Sequence, residues 1–250
     1  MTEQLKTFTL EAMTMPFTVR FAVTVDQATT TNFERPVQQI STFLQQIDRD
    51  FSPFKSQSLV SRYQRNELAG AELTDQFLEI YGLAVQAQEL TAGAFTPFFR
   101  GQYDPTGLVK GWAIQRAFEA YLLPLIHHEQ VNAVALNGAG DMQLAVAPTS
   151  DFVWHVGIES PIHPQTLVHQ YALQNGAVAT SGISKRGQHI TTVTDDHSIS
   201  QATIIATTLI EADVLATAMV AMGQAQFEQF RHRYETHGLF VTTDQGIHPF

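Results

Sequence analysis

Hydrophobic and polar positions along this chain fall into two periodicities. Val19, Phe21, Val23 and Val25 alternate with polar neighbours, and the stretch Phe17 to Val25 predicts a half-buried strand. From Pro36 to Phe51 the apolar residues are Val37, Ile40, Phe43, Leu44, Ile47 and Phe51. That is helical spacing, with the proline tolerated in the first turn. Thr74 to Leu90 repeats it with Phe77, Ile80, Tyr81 and Ala84, and Leu108 to Leu122 with Val109, Trp112, Ala113, Ala117 and Tyr121. The middle of the chain changes period. Val131 to Leu136, Met142 to Ala147, Phe152 to Ile158 and Val168 to Leu173 are short and strand-like, with Gly, Pro, Asn and Asp between them. Ala202 to Thr207 predicts another strand. Ile210 to Met222 predicts a helix ended by Gly223, and a strand over Leu239 to Thr242 follows a further helical stretch. Helices and strands come in blocks, which predicts an α+β fold rather than a doubly wound parallel sheet. No internal repeat, low-complexity tract or linker interrupts the pattern, so residues 1–250 are expected to form a single compact domain of mixed or antiparallel sheets and packed helices.

Composition narrows the chemistry. The chain has 14 basic and 24 acidic side chains and a net charge of -10, which argues against a nucleic-acid or anionic-membrane surface. A chain so acidic needs a local cation to bind a polyphosphate. Without cysteine there are no disulfides, thiolate nucleophiles or cysteine-based zinc sites. No apolar run approaches the ~18 residues that span a bilayer. The polar start, Met1 to Thr7, lacks the apolar core of a secretory signal, so the expected compartment is the cytoplasm.

Four segments carry candidate chemistry. Asp213 and Thr217 are four residues apart on an otherwise apolar helix, so they share a face. Carboxylate and hydroxyl are both hard oxygen ligands of the kind magnesium takes. The alternative is an aspartate facing the helix dipole with a threonine packed beside it. Asp104-Pro105-Thr106-Gly107 feeds a helix that carries Lys110 in its first turns, either an anion-binding helix start or a capped turn with a solvated lysine. Asn137-Gly138-Ala139-Gly140-Asp141 reads as a hairpin turn or a close approach of backbone to a ligand. Thr180-Ser181-Gly182 follows a strand and precedes Lys185, Arg186 and His189, a set that suits a phosphate or a proton transfer. Thr194-Asp195-Asp196-His197 reads as a polar turn in preference to a metal cluster. Phosphate-loop, zinc-protease and nucleophile-elbow motifs are missing.

Taken in order along the chain, these segments resemble the FAD:protein FMN transferase, or ApbE, family. Met13-Thr14-Met15-Pro16-Phe17 is similar to the family's Met-Gly-Thr opening, and Phe51 to Arg62 to its Ser-rich segment. Thr91-Ala92-Gly93-Ala94-Phe95-Thr96-Pro97 resembles a Gly-x-Phe-Asp-Pro element, and Asp104 to Ala113 the D-x-x-G-x-x-K-G-x-A stretch. Gly138 to Asp141 resembles Gly-Gly-Asp. Ala179 to Gly182 with Arg186, Gly187, His189 and Ile190 resembles A-T-S-G…R-G-x-H-I. Ala212 to Ala218 resembles the A-D-x-x-A-T-A helix. The chain departs from the family pattern at Thr96, at Gln115 and over Thr191 to Asp195.

The resemblance implies an ApbE-like (T-fold-like) α+β fold and a magnesium-dependent transfer of FMN from FAD onto a Ser or Thr hydroxyl of an acceptor protein, with release of AMP. It implies magnesium held by the Gly107 carbonyl, Asp213 and Thr217. It implies FAD contacts at Met13, Phe54, Ala94, Phe95, Thr96, Asp104, Lys110 and Ser181, and His189 as the group that takes the acceptor's proton. Two other outcomes share the same site: hydrolysis of FAD to FMN and AMP, and flavin binding without catalysis.

Overall fold

In a computed structural model the described residues are 3–99, 101–163, 165–182 and 196–250. The chain opens with a hairpin, β1 (Gln4–Ala12) and β2 (Met15–Val23), whose two-residue turn places Met13 at φ 49° and Thr14 at φ 61°. Helices α1 (Val25–Thr30), α2 (Glu34–Phe51), α3 (Leu59–Gln64) and α4 (Asp75–Leu90) follow. A minimal hairpin, β3 (Phe98–Phe99) with β4 (Gln102–Tyr103), leads into α5 (Thr106–Ala117). A π turn over Phe118–Leu122 joins α5 to α6 (Leu123–His127). Strands β5 (Ala133–Gly138), β6 (Asp141–Val146), β7 (Trp154–Glu159), β8 (Leu167–Leu173), β9 (Gly176–Gly182) and β10 (Ile199–Ala206) come next. The long helix α7 (Leu209–Arg231) and strands β11 (His237–Thr242) and β12 (Ile247–Pro249) end the fold.

Eight strands form one sheet in the order β1-β2-β5-β6-β9-β10-β11-β12, antiparallel at every pairing. The expected α+β class holds, and the sheets are antiparallel throughout. One sheet face packs against the helices. Phe17, Val19 and Phe21 of β2, Val134 and Leu136 of β5, Ala177 and Ala179 of β9 and Phe240 of β11 are buried there, with Trp112, Leu215 and Met219 from the helices. The other face is covered by the β7–β8 hairpin. Trp154, Val156 and Ile158 point inward on alternate positions onto Ala133, Ala135, Leu144, Val178 and Val241. Central strands are therefore buried on both faces, and their sequences run nearly continuously apolar instead of alternating.

Several elements differ from the sequence expectation. Thr180, Ser181 and Gly182, read as following a strand, are themselves the end of β9, and Val25, read as the end of a strand, begins α1. β1 goes unseen in the pattern because it is an edge strand whose Leu5, Thr7 and Thr9 face outward. The helix predicted over 108–122 is broken by the π turn, because Pro124 has no N–H to offer the Ala120 carbonyl four residues earlier. Gly223 does break α7, at φ 71°, but the helix resumes to Arg231. Asp196 accepts from the Ala225 N–H at 3.3 Å and the Ser198 hydroxyl accepts from the Gln224 N–H at 3.0 Å, so the restarted turn is capped from a loop. The polar-turn reading of this segment thus fits Asp196. Thr194 and Asp195 lie outside the described residues.

Candidate functional site

The site grows from the meeting of α5, α7 and one end of the sheet. At Gly111 of α5 an added Cβ would sit 3.0 Å from Asp213 Oδ2, 3.1 Å from Asp213 Cβ and 3.3 Å from the Leu209 carbonyl oxygen of α7. Glycine at 111 is what lets the two helices close on each other around the Asp213 carboxylate. One turn further along α5, the Gln115 side-chain oxygen accepts from the Ile210 N–H at 3.1 Å and satisfies part of the α7 N-terminus. Residues 111 and 115 thus meet 213 and 210, so the helices run antiparallel and residue 107 lies toward the Thr217 end of the contact. Asp213 is 1% exposed among Val214, Leu215 and Ala216. A carboxylate taken so far out of water needs polar company.

Thr217, one turn beyond Asp213, is half-buried, and its hydroxyl lies 3.0 Å from that of Ser181 on β9. The neighbouring Thr180 donates its N–H to Asp141 Oδ1 at 3.0 Å, and its hydroxyl meets that of Thr203 on β10 at 2.9 Å. Asp141 Oδ2 in turn forms an ion pair with the Lys110 ammonium, with both side chains buried. Lysine and aspartate come together because α5 rests on the β5–β6 turn. Gly138 has no room for a Cβ, which would lie 2.5 Å from the Phe17 ring and 2.8 Å from Ile114 Cδ1. That turn has Ala139 at φ 53° and Gly140 at φ 99°, the two left-handed positions of a type I′ hairpin, and Asn137 Oδ1 accepts from the Gly140 N–H at 3.0 Å. The hairpin reading of the segment is correct, and the turn also delivers Asp141 to Lys110. The solvated-lysine alternative for Lys110 is excluded by its burial.

Of the other FAD-contact candidates, Ala94, Phe95, Thr96 and Asp104 form a second group that joins the first at Gly107, while Met13 and Phe54 lie apart from it. Thr91 accepts from the Phe95 N–H at 2.9 Å and fixes the loop after α4, which buries Ala94 and Phe95. A Cβ at Gly107 would lie 3.3 Å from the Phe95 ring, so this ring is seated on the start of α5. Pro97 accepts from the Asp104 N–H at 2.7 Å. Asp104 Oδ1 accepts from the Thr106 N–H at 3.0 Å and from the Thr106 hydroxyl. Asp104 therefore shapes the turn into α5. The Thr96 hydroxyl accepts from the Phe98 N–H at 3.2 Å. Phe54, between α2 and α3, is 89% exposed. Met13 sits in the β1–β2 turn, at the same end of the sheet as Asp141 and Ser181, since Phe17 pairs with Gly138. His189 lies outside the described residues.

Among the described residues no three His, Asp or Glu side chains come together. An ion at this place would be held by mixed hard oxygens, and two donors fit magnesium: a buried carboxylate at Asp213 and a hydroxyl at Thr217 one turn on. The cleared space at Gly111 belongs to the same fit. What sequence reasoning missed is the Lys110–Asp141 pair, Thr180 and the role of Gln115. Each is a contact between segments far apart in the chain. The sequence signals only the first of them, through charged Lys110 and Asp141 beside apolar neighbours; Thr180 and Gln115 are uncharged and carry no such mark.

The family model described as the ApbE family matches residues 99–240. Three solved structures share the fold over nearly the whole chain. The ApbE protein of Thermotoga maritima matches with a TM-score of 0.77 and 19% identity, covering 98% of this chain and 97% of that one. The apo flavinyl transferase ApbE of Pseudomonas stutzeri gives 0.76 and 18%, with 99% and 94% covered. The flavin transferase ApbE of Vibrio cholerae gives 0.72 and 16%, with 100% and 97% covered. No curated protein sequence matches the chain significantly.

Proposed function

The chain belongs to the ApbE family, and from that premise we propose that it binds FAD with magnesium and transfers the FMN portion onto a Ser or Thr hydroxyl of an acceptor protein, releasing AMP. The observation that carries this reading is the convergence of a buried lysine, a buried aspartate and two hydroxyls on the junction of α5, β9 and α7. Phosphoryl transfer asks a protein chiefly to position the reactants and offset charge, and this set does both.

In the proposed reaction the acceptor hydroxyl oxygen bonds to the phosphorus of the FMN portion. The phosphoanhydride bond to the AMP portion breaks, and AMP leaves with the bridging oxygen. Gly107, Asp213 and Thr217 would hold magnesium, whose charge, when the ion is bound, offsets that of the diphosphate. Lys110 supplies a second cation toward the phosphate oxygens. Ser181 holds the Thr217 hydroxyl in orientation. Met13, Phe54, Ala94, Phe95, Thr96 and Asp104 form the flavin-binding group in this reading, and the seating of Phe95 on Gly107 connects it to the phosphate end. His189 takes the acceptor's proton.

The test is incubation with FAD and magnesium, with and without a flavin-acceptor subunit. Covalent flavin on the acceptor together with free AMP is the expected result. Free FMN in the absence of acceptor points to hydrolysis, and unchanged FAD points to binding alone. Asp213→Ala serves as the control. It is expected to abolish the magnesium-dependent reaction while keeping the circular dichroism of the parent, and full activity of this variant at limiting magnesium would remove Asp213 from the site.

A further inference from the structure

The Lys110–Asp141 pair is buried on both sides, and the proposed reaction assigns no role to its acidic member. Asp141 is engaged at both oxygens. Oδ1 accepts the Thr180 N–H at 3.0 Å and Oδ2 meets the Lys110 ammonium. A carboxylate so engaged is a firm anchor. Its own place is fixed by the left-handed turn at Ala139 and Gly140 and by the close approach of α5 that Gly138 allows. Thr180, which it grips, precedes Ser181, whose hydroxyl touches Thr217. The lysine and the metal-ligand helix are therefore referenced to two adjacent residues of one strand.

We propose that Asp141 is the positioning residue for Lys110. It holds the ammonium in place, at a fixed offset from Thr217, before any phosphate arrives. The inference rests on the flavin-transfer reading and adds to it the residue that sets the phosphate-binding cation. The physical argument is that a desolvated ammonium without a counter-ion is costly, so it turns away toward solvent. The opposing effect is Coulombic, because the Asp141 carboxylate also repels the substrate phosphates. Burial decides between them: an ammonium with 6% of its side chain exposed has no water to replace the lost partner.

Flavin-fluorescence titrations with FAD and with riboflavin, which has no phosphate, test the proposal on the full chain. Asp141→Asn keeps an oxygen for the Thr180 N–H and removes the charge. It is expected to weaken FAD binding by about tenfold and leave riboflavin binding within about twofold. In a Lys110→Met background the added Asp141→Asn should no longer weaken FAD binding, because the group it acts through is gone. Equal losses for FAD and riboflavin, or additive effects of the two substitutions, would make the pair a structural brace only and overturn the positioning role. Tighter FAD binding by Asp141→Asn would overturn it as well, by showing the carboxylate to be a competitor for the ammonium. If Asp141→Asn does not fold, Asp141→Glu, which keeps the charge and shifts it by one methylene, takes its place with the same expected loss for FAD alone. A parent protein that binds no FAD sinks the flavin reading itself, an outcome visible before any variant is made.

Discussion

At the scale of single residues, the site depends on what is not there. Gly111 admits the Asp213 carboxylate between α5 and α7, where a methyl group would meet it at 3.0 Å. Gly111→Ala is expected to push the carboxylate aside. Overpacking of this kind costs roughly 1–3 kcal/mol of stability, and a displaced ligand costs roughly tenfold to a hundredfold in rate. Steady-state AMP release against magnesium concentration would show the loss, and a variant with parental activity would mean that Asp213 keeps its place by another route. His189 makes a separate prediction, since its assignment comes from the family pattern. His189→Ala should leave FAD and magnesium binding unchanged and slow transfer by roughly 10²–10⁴, the usual worth of general acid–base help. Transfer within a few fold of the parent, with the same pH profile, would send the search for the base to other groups.

At the scale of elements, the long helix α7 illustrates how a break is made useful. Gly223 takes φ 71°, and a Cβ there would lie 2.4 Å from Asp196 Cγ. Asp196 is the residue that caps the restarted helix, and the Ser198 hydroxyl and backbone hydrogen bonds that hold its carboxylate set its pKa below the ordinary aspartate value. Gly223→Ala is expected to destabilise the protein by roughly 2–4 kcal/mol, from backbone strain together with loss of the cap. Thermal melting of the variant measures this, and an unchanged melting temperature would mean that the break relaxes without cost. Gln115 acts across elements in a similar way, through its hydrogen bond from α5 to the first turn of α7. The amide serves here because what the helix start requires is an acceptor oxygen.

At the scale of the whole molecule, a single antiparallel sheet carries the helices and the site on one face and a hairpin on the other. The hairpin makes no contribution to the candidate site, and its contribution is to the burial of small residues such as Ala133, Ala135 and Val178. Trp154 anchors it, packing edge-on against Phe152 at 4.8 Å and 7% exposed. Trp154→Ala should therefore cost roughly 3–5 kcal/mol of stability, the usual penalty for deleting a buried tryptophan. FAD affinity of the folded variant should stay within a few fold. Chemical denaturation and flavin titration on the same sample check both halves, and a lost affinity in a folded variant would tie the two faces of the sheet together.

The sequence by itself determined the elements with strong local signals. The helices over 36–51, 74–90 and 210–222 follow from spacing, because each buries a stripe that its own residues define, and β5 and β6 follow from short apolar runs between turn residues. It also carried the ordered motifs of the ApbE family, whose model matches residues 99–240. Tertiary structure alone decided the rest. That Lys110 is buried, that its partner is Asp141, that Thr180 is the third member of the group, and that Gly111 and Gly138 are clearances rather than turn residues, all depend on where α5 lies against β5 and α7. Such contacts join residues tens of positions apart, and no local periodicity encodes them. They are fixed by helix packing on a sheet whose two faces are both filled.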